Sequence, residues 1–192
     1  LRTQKQGECL GAAALKIDND KELDPEIKFL QHKYYAPVDN GLLSFIAIIG
    51  AVSSQVVPYN RGELGLALVT ELDYVRLGSL QILTFPGEPF PEVIYGGSVS
   101  AEESATGKGP EINPEPIIDI VGDSELLVFG VTNDMTGYCC VPNDFVLHPT
   151  QAYIEQGTDV KGRRHYHETN SLGYLTNEIY AENVAAIMEE IK

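Results

Sequence analysis

Residues 64–76 (LGLALVTELDYVR) begin as an apolar run and then alternate, with Leu72, Tyr74 and Arg76 on one side and Asp73, Val75 and Leu77 on the other. A period of two marks a half-buried strand. Gly78-Ser79 makes a tight turn into a second apolar, β-rich run, residues 80–85 (LQILTF), and the pair reads as a β-hairpin. Pro86 and Gly87 stop the second strand, because proline has no donor for the ladder and glycine tolerates positive φ. Glu88 follows at once. Ligands and reactive groups collect at the C-terminal ends of strands in α/β sheets. Glu88 is therefore either a solvated turn residue or a metal ligand or acid/base group whose partners lie elsewhere in the chain.

Other segments extend this framework. Residues 29–37 (FLQHKYYAP) alternate loosely as a strand, and Asp39-Asn40-Gly41 is a turn signal. Residues 43–52 form a second strand or a short buried helix; the β-branched residues and Phe45 favour the strand. Within the polar first 28 residues, 10–17 (LGAAALKI) form a short helix or a frayed start. A short helix is expected after Glu88, entered through Pro89. Residues 97–116, rich in Gly, Ser, Pro and Glu, are expected to be a flexible insertion. Residues 126–131 (LLVFGV) read as a buried strand that breaks at residues 132–137, with an extended run from Tyr138 to Val141 and a helical turn at Pro142-Asn143-Asp144. Residues 155–171 are polar and loop-like. Residues 174–192 close the chain as an amphipathic helix, with Leu175, Ile179, Val184, Ile187 and Ile191 near one face. The expected fold is α/β, a mixed β-sheet with packed helices, the last covering one face. The 192 residues suffice for a single domain or for one part of a larger catalytic domain. The first residue is Leu, which suggests a processed or excised piece.

The net charge of −15, from 28 acids against 13 bases, repels phosphate backbones and anionic membrane surfaces, so neither is an expected partner. No apolar run reaches the roughly 18–20 residues of a transmembrane helix. Cys9, Cys139 and Cys140 have no zinc-knuckle spacing. Cys139 and Cys140, adjacent on an extended segment, point to opposite faces and read as small buried hydrophobes.

Two strands thus end in polar turns, at Pro86-Gly87-Glu88 and at residues 133–138. If they are neighbours in a sheet, Glu88 and Tyr138 face a common cleft. In Arg163-Arg164-His165-Tyr166-His167-Glu168, an extended H-x-H puts both imidazoles on one side. That pair is either a zinc pair or part of a solvated polar loop. His32 and His148 stand alone. There is no nucleophile-elbow pattern for an α/β-hydrolase and no EF-hand spacing among the acids of residues 111–125.

The order of these elements resembles the C-terminal half of the catalytic domain of the neutral/alkaline ceramidases. The resemblance runs from about residue 29 to 192. It is carried by Pro86-Gly87-Glu88, by Asn133-Asp134-Met135-Thr136-Gly137-Tyr138, and by residues 165–173 (HYHETNSLG). It implies a zinc-dependent amidohydrolase that cleaves the N-acyl bond of ceramide or a related lipid amide, with a secreted or cell-surface location. It further implies that Glu88 and Tyr138 are zinc ligands and that Tyr166 polarises the substrate amide, with His167 as the alternative one residue on. The chain departs from the family in three ways. The family's two zinc-binding histidines lie upstream, and no counterpart is present here, so the Zn2+ site is incomplete and needs an upstream part of the same protein. The segment between Glu88 and Tyr138 is long. Pro89-Phe90-Pro91 stands where the family has a Phe-Thr-Thr-like run. The competing expectation is a non-catalytic acidic binding or structural domain.

Overall fold

The computed structural model describes residues 2–18, 21–51, 54–97, 100–109, 114–146 and 157–192. In chain order the elements are α1 (Arg2–Ala14), β1 (Ile27–Pro37), α2 (Gly41–Ile48), β2 (Val56–Pro58), β3 (Leu66–Leu77), β4 (Leu80–Thr84), β5 (Glu88–Pro89), α3 (Pro91–Tyr95), α4 (Ile117–Val121), β6 (Leu127–Phe129), β7 (Tyr138–Cys139), β8 (Gly157–Thr158), β9 (Arg164–His165) and α5 (Thr176–Glu190). Short 3-10 turns occupy Pro142–Asp144 and Glu168–Asn170.

The expected hairpin is the centre of the sheet. β3 pairs antiparallel with β1 along its whole length, Ile27 opposite Leu77 through Pro37 opposite Ala67. On its other edge β3 meets β2 at its start and β4 at its end. β4 then pairs in parallel with β6, so the sheet is mixed and the fold is α/β. Alternation decides which face is buried. Leu68, Thr70, Leu72 and Tyr74 point into the core, with Tyr34 and Ala36 of β1 beside them. On the other face Phe29 and Tyr35 are exposed. The buried face is covered by α5, which packs on β1 and α4, through Ile179, Tyr180, Val184 and Ile187. The Tyr180 ring meets Phe85 edge-on, with centroids 4.0 Å apart, and burial keeps its phenol protonated far above the ordinary range. Cys139 lies in this core and Cys140 in a separate small one with Phe145, as opposite-facing neighbours must.

Three expectations are corrected. Residues 43–52 do not begin as a strand; Gly41–Ile48 is helical. Asn40 is its N-cap, its Oδ1 accepting from the Leu42 and Leu43 amides at 3.1 Å each. The turn signal at 39–41 is a helix start, and capping outweighs the weak β preference of Ile46 and Ile48. Residues 126–131 are not a buried strand. β6 is a three-residue edge strand that exposes Leu127 and Phe129, because β4 is its one neighbour among the described strands; just outside it, Leu126 is buried and Val131 exposed. The helix after Glu88 begins at Pro91, while Glu88 and Pro89 are extended as β5. Within the expected flexible insertion, residues 100–109 are held to the body by several hydrogen bonds. The Ala105 carbonyl accepts from the Val160 amide, and Thr106 Oγ1 donates to the Asn143 carbonyl.

Asn40 does more than cap α2. Fully buried, it donates from Nδ2 to the carbonyls of Thr169 and Ser171, while its own amide and that of Asp39 donate to the Leu172 carbonyl. One side chain thus joins the start of α2 to the segment after His167. Losing a cap costs about 1 kcal/mol, and orphaning buried carbonyls costs about 1–3 kcal/mol. Asn40→Ala is therefore expected to lower unfolding stability by about 2–4 kcal/mol in chemical denaturation. Asn40→Asp keeps the cap acceptor but turns an oxygen toward the two carbonyls, so it should recover little of the loss.

Candidate functional site: a cleft at the ends of β4 and β6

The chain leaving β4 is laced to the chain leaving β6. Phe85 donates to the Phe129 carbonyl at 2.8 Å, Val131 to Gly87 at 2.8 Å, and Thr136 to Pro86 at 2.6 Å. Glu88 then donates to Gly137 at 2.8 Å and Phe90 to Cys139 at 2.9 Å, which creates the parallel pair β5–β7 with Glu88 opposite Tyr138. Two glycines permit the approach. A Cβ on Gly87 would collide with the Gly137 carbonyl and with Thr136, and one on Gly137 would collide with the Asn170 carbonyl. Gly137 also has φ +81, a conformation L-residues avoid. Val131, at φ 56, adopts a left-handed conformation that a β-branched residue tolerates only under constraint.

The result is a cleft of about 340 Å³, within the range of small-ligand sites. Leu43, Ile46 and Ala47 of α2 contribute an apolar wall, while Glu88, Tyr138, Tyr166 and Asn170 supply polar groups. All three residues singled out by the family resemblance, Glu88, Tyr138 and Tyr166, therefore meet in one place. Glu88 is exposed to the cleft. The Tyr138 and Tyr166 rings lie 6.1 Å apart. The Tyr138 phenol is raised above its ordinary value, first by its hydrogen-bonding interaction with Tyr166 and then by the charges of Tyr166 and Glu88. It stays neutral unless a cation enters. Of the two alternatives at 166 and 167, Tyr166 lines the cleft. His167 turns away, its Nε2 2.9 Å from the Asp144 carbonyl and its ring 5.3 Å from Phe90.

The H-x-H alternation places His165 beside His167, the rings stacked 4.4 Å apart at 11°. Glu168, fully buried, presents Oε2 3.9 Å from His165 Nδ1 and accepts the Val146 amide at Oε1. One ligand atom from each of these three residues lies within 4.8 Å of the others, so the group could hold a metal ion. The sequence marks the histidine pair but not Glu168; its signal is a carboxylate directly after H-x-H. Asn40 and Asn170 also escape sequence reading, because Asn40 acts on carbonyls more than a hundred residues away and Asn170 on a glycine in another segment. His32 is structural, its Nε2 3.0 Å from Asn183 Oδ1 of α5, and His148 lies outside the described residues.

No family model, curated protein or solved structure matches the chain.

Burial lowers the pKa of His165, and the neighbouring His167 adds to the effect. An unfolded His165 takes up a proton near the ordinary value of 6.5, while the folded one resists. This contribution to stability is fully present above that value and declines as pH falls below it. In chelator, the urea midpoint should fall from pH 7 to pH 5, and His165→Gln should flatten that decline. Gly137→Ala should cost about 2 kcal/mol or more, from the left-handed conformation and the collision with Asn170. A matching drop in thermal midpoint would check it.

Proposed function

We propose that this chain carries one half of the active site of a zinc-dependent amidohydrolase resembling the neutral/alkaline ceramidases, acting on the N-acyl amide of a ceramide-like lipid. A single observation carries the reading: Glu88 and Tyr138 are register partners on adjoining parallel strands and share one cleft with Tyr166. The donor set fits half of a zinc site, since a carboxylate and a phenol are acceptable oxygen ligands and two positions remain for nitrogen. Those two would come from histidines in an upstream part of the protein. Bound zinc supplies a polarised carbonyl and a water acidified enough to attack an amide at neutral pH.

The chain's own residues have separable tasks in this reading. Glu88 brings the negative charge that attracts the cation. The neutral Tyr138 phenol coordinates or loses its proton only when that cation is present. Tyr166, next to Tyr138, donates a hydrogen bond to the oxygen on which charge develops. Leu43, Ile46 and Ala47 receive the acyl chain and exclude water from the amide. Asn170, in the turn whose carbonyl abuts Gly137, is placed to orient a polar head group.

The alternative is a non-catalytic acidic domain, favoured by the exposure of Glu88 and by the two donors the cleft offers. Metal content and hydrolysis of a fluorogenic N-acyl amide by the complete protein separate the two. Glu88→Gln and Tyr138→Phe should each lower bound zinc and reduce kcat/KM by about a hundredfold or more. Tyr166→Phe should keep the zinc but lower kcat by about tenfold to a hundredfold. Unchanged metal content and activity in both ligand variants would sink the amidohydrolase reading.

A further inference from the structure

We propose that His165, His167 and Glu168 form a second site for a divalent transition metal, zinc by its ligand chemistry, separate from the cleft that Glu88 and Tyr138 line. Three observations point to it independently of the amidohydrolase reading.

The first is tautomer control. A carbonyl accepts, so the 2.9 Å contact between His167 Nε2 and the Asp144 oxygen puts the ring proton on Nε2. The lone pair is then on Nδ1. A backbone carbonyl holding the far nitrogen in this way is the usual support of a metal-binding histidine.

The second is His165. Both of its ring nitrogens are buried and lack a hydrogen-bond partner among the described residues. A neutral imidazole left so costs desolvation, which a coordinate bond would offset at one of the two nitrogens. Its Nδ1 faces Glu168 Oε2 at 3.9 Å, close to the roughly 3.3 Å between neighbouring ligands of a tetrahedral zinc.

The third is the way the backbone is cut back around the group. Gly157 of β8 pairs with His165 of β9, and a Cβ there would run into Glu168 Oε2 and into His165 Cε1. Space is thus kept for the carboxylate and imidazole to lie side by side. Two imidazoles and a carboxylate form a borderline donor set suited to zinc, with water as the fourth ligand. Closing the group from 4.8 Å requires the stacked imidazoles, now 11° from parallel, to turn about their side-chain bonds until their in-plane lone pairs converge.

The consequence reaches the cleft through Tyr166. The segment from β8 to the 3-10 turn at Glu168–Asn170 is built of two-residue strands, which are marginal alone. A metal bridging 165, 167 and 168 would pin the backbone on both sides of Tyr166 and hold its ring against Tyr138.

Zinc titration of the complete, chelator-stripped protein tests the site. The double variant His165→Gln/His167→Gln should bind one equivalent fewer than wild type, whereas Glu88→Gln should retain that equivalent. Zinc should also raise the thermal midpoint of Glu88→Gln by more than that of a variant carrying all three substitutions. Modification of the wild-type protein by diethyl pyrocarbonate, mapped by mass spectrometry, needs no variant and guards against misfolding. Zinc should suppress labelling of His165 and His167 at least tenfold. Equal stoichiometry in the double variant, or labelling at 165 and 167 indifferent to zinc, overturns the proposal.

Discussion

The contact on which the site depends is between backbones. Gly87 lies against the Gly137 carbonyl, and Gly137 lies against the Asn170 carbonyl, with no side chain between them. Three segments far apart in sequence are stacked at main-chain distance, and the groups just beyond the glycines are thereby placed. Glu88 follows Gly87, Tyr138 follows Gly137, and Tyr166 leads into the turn that ends at Asn170. A side chain at either glycine would push the layers apart and dissolve the cleft without replacing Glu88, Tyr138 or Tyr166. The strained φ of Val131 belongs to the same junction, since its amide donates to the Gly87 carbonyl. Strain of about 1–3 kcal/mol persists where surroundings over-determine it, and here six backbone hydrogen bonds between residues 85–90 and 129–139 do so.

Around this junction the molecule has a stiff side and a thinly supported one. The stiff side is the β1–β3–β4 sheet under α5, with long strand pairing and fully buried Leu72, Tyr74, Leu83, Val184 and Ile187. The thin side is the segment 157–173, joined to the body by Asn40, by the Leu172 carbonyl and by the group of His165, His167 and Glu168. Buried polar groups work there as connectors beside the apolar packing of Leu172. Their value depends on every partner being present. α2, capped by the same asparagine, presents Phe45, Ile48 and Ile49 to the outside, beside the apolar wall of the cleft.

Much of this was legible in the order of residues. The hairpin needed only alternation over residues 66–77 and a glycine turn, and α5 needed only its helical spacing. The conjunction of Glu88 with Tyr138 was legible as a condition, two strand ends that share a cleft if their strands are neighbours, and the parallel pairing of β4 with β6 meets it. For residues 43–52 the strand is favoured over the short helix on sequence alone, because apolar, β-branched residues suit either. What decides between them is whether Asn40 Oδ1 accepts the next amides or a neighbouring strand supplies a ladder. Residues 126–131 were misread because an apolar run does not record how many strands flank it.

The chain by itself therefore determined what local periodicity and turn chemistry encode: the central hairpin, the closing helix, the mixed α/β character and the short list of polar residues at strand ends. Tertiary structure alone decided that Tyr166 and not His167 enters the cleft, that Glu168 joins the two histidines, and that Asn40 holds the far segment in place. Alternation puts residues 165 and 167 opposite 166 wherever they are, but which side is the cleft depends on the docking of residues 157–173. That docking is set by contacts to its backbone from residues more than thirty and up to about 130 positions away, and no local pattern records them.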